Sequence, residues 1–147
     1  MLVVVDNDYQ NLPQNLQEEK LAVEWFEVSK SQFERHTDGD RPIKLKRVNN
    51  KYLRDKQVIY QDEKSYIAID LQPCNSIVLK SDDAMLMGKF CFDVGNRHLP
   101  VFVLSESEIA VAYDGRLYDA LANKYGDKIR LMSVKLLPES RLITNGA

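Results

Sequence analysis

Histidine and cysteine are scarce in this chain: two of each among 147 residues. Cys74 and Cys91 are too few and too scattered to form a disulfide framework, so the core must hold without cross-links. Long apolar runs are also missing. Stretches such as Leu2 to Val5 fall far short of the roughly 20 residues a helix needs to cross a bilayer. No basic region followed by a long apolar stretch opens the sequence, so no signal peptide is expected and the chain reads as cytoplasmic. Neither sign of charge dominates, with 20 Lys and Arg against 22 Asp and Glu and a net charge of −2. A protein held to nucleic acid by phosphate contacts would carry a strong basic surplus. Neither nucleic acid nor a membrane is therefore expected as a partner. The first half holds no Ser/His/Asp order, Gly-rich phosphate loop or Cys/His cluster. A small hydrolytic metalloenzyme is disfavoured because no general base with a second ligand set is visible, so no enzyme is expected.

What is present suits an ordinary globular protein, at 44% hydrophobic and 29% charged residues. The first half reads as strands joined by polar turns. Leu2 to Val5 is a short strand that ends at the turn-prone Asp6-Asn7-Asp8. Residues 9–20, polar and holding Pro13, read as a loop. From Leu21 to Val28 apolar groups fall on both faces, as in a strand inside a packed β module. Ile43 and Leu45 alternate with Lys44 and Lys46, predicting a half-buried strand with a basic outer face. Asn49-Asn50 marks a turn, and Val58–Tyr60 and Ser65–Leu71 supply two more strands. Glu34 to Asp40, with His36, reads as a polar loop.

The pattern changes near Pro73. Ser76–Lys80 is a predicted strand, and Asp82 to Val94 a helix with an acidic cap that complements its dipole. Strands follow over Pro100–Leu104 and Glu108–Tyr113. Asp114 then caps a second helix carrying Leu117, Leu121 and Tyr125, which Gly126 stops. Ile129–Leu136 closes as a strand. The resulting order, β-α-β-β-α-β, is the ferredoxin-like arrangement. Two small domains are thus expected: an all-β domain over 1–72 and an α+β domain over 73–147, with a flexible tail from about 137 to 147. Some 70 residues each is marginal for an independent core, so dimerisation through the second domain would add stability.

The residue with the most chemical promise is His98, in Gly95-Asn96-Arg97-His98 just past the first helix. Met87, Phe90, Cys91 and Val94 recur at helical spacing, and Gly95 is the expected left-handed stop. An imidazole on such an exit can ligate a borderline ion such as Ni²⁺, Zn²⁺ or Cu²⁺. It can equally serve as a cap whose cation favours the helix C-terminus. Asn96 and Arg97 read as fixing the turn, since a guanidinium has no lone pair to give. Asp93 could offer an oxygen, although an exposed helix carboxylate explains it as well. Cys91 reads as a core thiol and Cys74 has no partner spacing. His36, with Asp38 and Asp40 nearby, matches no calcium loop.

The run from Met87 to His98 resembles the signature of the urease accessory protein UreE family, nickel metallochaperones of urease assembly. The similarity continues through Glu108–Asp114 to Gly126 and reaches back to Val23–Val28 and Leu53-Arg54-Asp55. The resemblance implies that His98 is the metal ligand, facing its counterpart across a homodimer axis. It also implies a first domain like the peptide-binding module of DnaJ-type co-chaperones, and partners in an accessory GTPase and the apo-urease complex. Two imidazoles with water in the remaining positions form an open, exchangeable site, which suits a carrier. The alternative is a peptide-binding adaptor of the same assembly, with an incidental or zinc-structural His98. Where many relatives carry further histidines, this chain has Ala112 and Asp114, and its last residues hold none. The resemblance therefore implies about one ion per dimer, held by His98 almost alone.

Overall fold

The computed structural model describes residues 1–5, 7–48 and 50–142. The chain is mostly β with two helices, and it divides into two compact units, residues 1–72 and 73–147.

The first unit holds two three-stranded sheets. In one, β1 (Leu2–Val5) runs parallel to β4 (Pro42–Lys46), which pairs antiparallel with β3 (Gln32–His36). In the other, β2 (Gln17–Val23) runs parallel to β6 (Ser65–Leu71), which pairs antiparallel with β5 (Val58–Gln61) across a bulge. Alternation decides which side chains point inward. Val4, Ile43 and Leu45 are buried from the first sheet, and Leu21, Val23, Ile67, Ile69 and Leu71 from the second.

Three expectations for this unit need correction. Residues 9–20 are not all loop, because Gln17–Lys20 belong to β2 and pair with Ser65–Ala68. Their polar side chains disguise a strand whose ladder is set by β6. The strand expected over Leu21–Val28 stops at Val23, and Trp25–Glu27 form a 3₁₀ turn. Reciprocal capping between Glu24 and Glu27 closes that turn, and Arg35 grips Glu27 from β3 through Nη1 (2.7 Å) and Nη2 (2.5 Å). Phe26 is thereby left on the surface. The polar loop around His36 is in its first part β3, in which Gln32 pairs with Lys46 and His36 with Pro42. The turn expected at Asn49-Asn50, and that at Asp6-Asn7-Asp8, include residues outside those described.

The second unit has the element order β-α-β-β-α-β. Its sheet runs β10-β7-β9-β8, all antiparallel, with β7 (Cys74–Lys80), β8 (Phe102–Ser105), β9 (Glu108–Ala112) and β10 (Ile129–Val134). Between them lie α1 (Ala84–Gly95) and α2 (Gly115–Tyr125). Ile77, Leu79, Ile109, Val111 and Ile129 from the sheet meet Phe90 and Val94 of α1 and Leu117, Leu121 and Tyr125 of α2 in one core. Asp83 and Asp114 cap the helices by accepting amide hydrogens at their first turns. The closing strand ends at Val134, short of the expected Leu136, and as an edge strand it buries Ile129 but leaves Leu131 exposed. The tail is also shorter than expected. Leu136 and Pro138 are buried, Pro138–Ser140 form a 3₁₀ turn, and Arg141 bridges Phe102. Residues 143–147 lie outside those described.

Candidate metal site

His98 stands at the end of a tightly wound helix exit. The Asn96 amide returns to the Phe92 carbonyl (2.8 Å) and the Arg97 amide to Val94 (3.1 Å). Beyond them, the His98 amide donates to Gly95 (2.9 Å) and the Leu99 amide back to Val94 (3.4 Å), the two nested bonds of a Schellman turn. That turn requires one left-handed residue, and it is not the expected Gly95. Gly95 is the last residue of α1, and His98 itself adopts φ 59°. A residue with a Cβ pays on the order of 1 kcal/mol for that conformation, where glycine pays almost nothing. The sequence thus places an imidazole where folding alone favours glycine. Its side chain is exposed.

The exit is braced from α2. Asp93, in the last turn of α1, accepts the Tyr125 hydroxyl (2.6 Å) and the Lys124 ammonium (2.7 Å) on Oδ2. Its backbone carbonyl accepts Arg97 Nη1 (3.2 Å). The Lys124 bond, followed by that of Tyr125, holds the Asp93 carboxyl below the ordinary aspartate range. Burial, reinforced by the bond to Asp93, pushes the Tyr125 phenol well above its ordinary range. Its ring packs edge-on against Phe90, with centroids 5.5 Å apart. Asp93 is therefore a brace between helix ends and not a spare oxygen donor. Arg97 fixes the turn by folding back on the carbonyl of Asp93. Nothing in the sequence pairs Asp93 with Tyr125. The link exists because α1 and α2 pack on one sheet face and end side by side.

The remaining candidates are placed as follows. Cys91 packs half-buried against the second unit's core, where burial raises its thiol pKa and keeps it protonated. Cys74 opens β7, with its sulfur 3.5 Å from the Ser76 hydroxyl. Asp114 spends its carboxylate on the Leu117 amide (3.0 Å), and Ala112 ends β9. His36 ends β3, while Asp38 accepts the Lys20 amide (2.8 Å). Among the described residues, no three His, Cys, Asp or Glu side chains converge as a metal site. One chain thus offers one well-presented imidazole, not a closed ligand set.

α1 carries a second notable feature. Phe90, Val94 and the partly buried Leu86, Met87 and Cys91 face the core. The opposite stripe presents Met85, 75% exposed, and Phe92, 71% exposed. Gly88 and Gly95 lie along this stripe with open space above their Cα atoms.

No family model matches the chain. It is 29% identical to the "Urease accessory protein UreE" of Flavobacterium johnsoniae over 69% of this chain and 62% of that protein. It is also 29% identical to the protein of that name from Acetivibrio thermocellus, over 74% of this chain and 70% of that one. With the namesake of Helicobacter acinonychis it shares 27% identity over 88% of this chain and 78% of the relative. The match thus spans less than two thirds of the Flavobacterium protein's length. All three relatives are named as accessory proteins of urease, not as the enzyme. Over most of its length, the chain is similar to urease accessory proteins UreE from diverse bacteria.

Proposed function

We propose that this protein is a cytoplasmic nickel metallochaperone, not itself an enzyme, that delivers Ni²⁺ to apo-urease during assembly of the urease active site. The metal is cargo, held where His98 of one subunit meets His98 of a second copy. The observation that carries this reading is the left-handed, exposed His98 in a braced Schellman turn. An imidazole costs some stability there, and among the five described non-glycine residues with positive φ it is the one imidazole and the one at a helix exit. The names of the relatives supply the urease context.

A second copy is needed because one chain presents a single imidazole at this helix exit, and a two-fold axis turns one ligand into two. The Met85–Phe92 stripe beside the exit supports this, since large exposed apolar side chains flanking glycines suit close helix approach. In this reading the second unit is a ferredoxin-like metal-binding and dimerisation domain. The first is a DnaJ-like domain that engages the accessory GTPase and the apo-urease complex. Zn²⁺ or Cu²⁺ would compete for the same imidazoles, because this ligand type discriminates little among late divalent ions.

The test is a calorimetric nickel titration of the wild type and of His98→Ala, with the mass in solution followed in parallel. About one ion per dimer is expected for the wild type, and loss of binding with the dimer retained for the variant. Undiminished binding in His98→Ala would remove the reading.

A further inference from the structure

We propose that the outer face of the sheet β1-β4-β3 is a docking surface for an acidic segment of a partner protein, in which apolar side chains and carboxylates take turns at every second residue and so share one face of an extended strand. The register fixes this face residue by residue. Val3 lies beside Lys44, which lies opposite Glu34, and Val5 lies beside Lys46, which lies opposite Gln32. Neighbouring strands place such side chains about 5 Å apart, so two valine–lysine pairs stand side by side. Val3 is 54% and Val5 43% exposed, although both sit in a regular strand whose intervening Val4 is fully buried. The outward valines are not needed to fill the core, and an exposed apolar edge strand is a liability that proteins commonly blunt.

Charge decides the partner. Arg41, Lys44, Lys46, Arg47, Lys51, Arg54 and Lys56 fall in one stretch whose sole acid is Asp55, within a chain of net charge −2. The arginines are consumed by the fold. Arg41 pairs with Glu19, Arg54 with Asp8, and Arg47 donates to the carbonyls of Ser29, Lys30 and Lys51. Lys44 and Lys46 make no ion pair with any described residue. Glu34 is the single carboxylate among the outward residues of these three strands. Two available ammonium groups beside two exposed valines complement an extended segment that presents acids and apolar groups on the same face.

The experiment measures binding of a short fluorescent peptide, with valine and glutamate in turn at every second position and serine between them, to the full chain. Lys44→Glu/Lys46→Glu and Val3→Thr/Val5→Thr are the variants, and circular dichroism and the denaturant midpoint serve as folding controls. Each double variant is expected to weaken binding about tenfold, and raised salt to weaken the wild-type complex but not that of the lysine variant, where it screens repulsion instead. A peptide with serine in place of valine binding equally well would overturn the proposal, as the surface would then read charge alone. Tighter, lysine-dependent binding of duplex DNA or of phosphatidylserine vesicles would also overturn it. None of these outcomes depends on His98, so failure here leaves the nickel reading untouched.

Discussion

Two carboxylates brace two turns in this molecule, and they do so under different exposure. In the first unit Glu27 is buried and takes both guanidinium nitrogens of Arg35, while also accepting the Glu24 amide (3.0 Å). Arg35 further donates to the Ala22 carbonyl (2.8 Å). The Arg35 bonds hold the Glu27 carboxyl at about 2. In the second unit Asp93 is only partly buried, takes one phenol and one ammonium, and lies five residues before His98. The sealed pair closes a turn and leaves no free group behind. The open brace fixes a helix end while the residue just beyond it faces solvent. A rigid support with an exposed tip is what a transient ligand site needs.

The largest effect should come from breaking the sealed pair. Glu27→Ala strands the Arg35 guanidinium and should cost about 3 kcal/mol, read as a lowered denaturant midpoint. An equal effect from Asp93→Ala would erase the contrast. Acid should act on the same pair. The folded-state pKa of Glu27 lies below its ordinary value of 4.5, so its contribution is complete above that pH and is lost as pH falls through about 2. Thermal unfolding between those limits should lose on the order of 3 kcal/mol from this group. Glu27→Gln should flatten that part of the profile, and an unchanged slope would show that other carboxylates carry it.

Tyr125→Phe sharpens the comparison from the other side. It keeps the ring on Phe90 and removes one hydrogen bond to a charged acceptor, worth about 1.5 kcal/mol. Hydrogen exchange should quicken in the last turn of α1 and not at the Trp25–Glu27 turn. The smallest change in stability is expected at His98. His98→Gly relieves the left-handed strain and should stabilise the fold by about 0.5 kcal/mol while removing nickel binding. A loss of stability on that change would mean that the imidazole supports the turn instead of a metal.

Local chemistry explains which parts of the molecule were legible beforehand. Asp83 and Asp114 cap where acids before apolar runs should cap, and the periodicity of Phe90 and Val94 and of Leu117, Leu121 and Tyr125 marks two buried helix faces. Strands with alternating apolar residues, such as Pro42–Lys46, were equally plain. Gln17–Lys20 and Gln32–His36 were not, because polar side chains on a strand reveal nothing until a partner strand is in place. The turn at Trp25–Glu27 was hidden for a related reason: its decisive partner, Arg35, lies on another element.

By itself the sequence determined where the helices begin, which faces are apolar, and that a histidine follows the first helix within a UreE-like signature. Only the tertiary structure decided that His98, and not Gly95, takes the left-handed position, and that Asp93 is spent on Lys124 and Tyr125. The physical reason is range. Caps and periodicity act within a few residues, whereas the bracing of this helix exit rests on side chains 31 and 32 residues apart that meet only after two helices pack on one sheet.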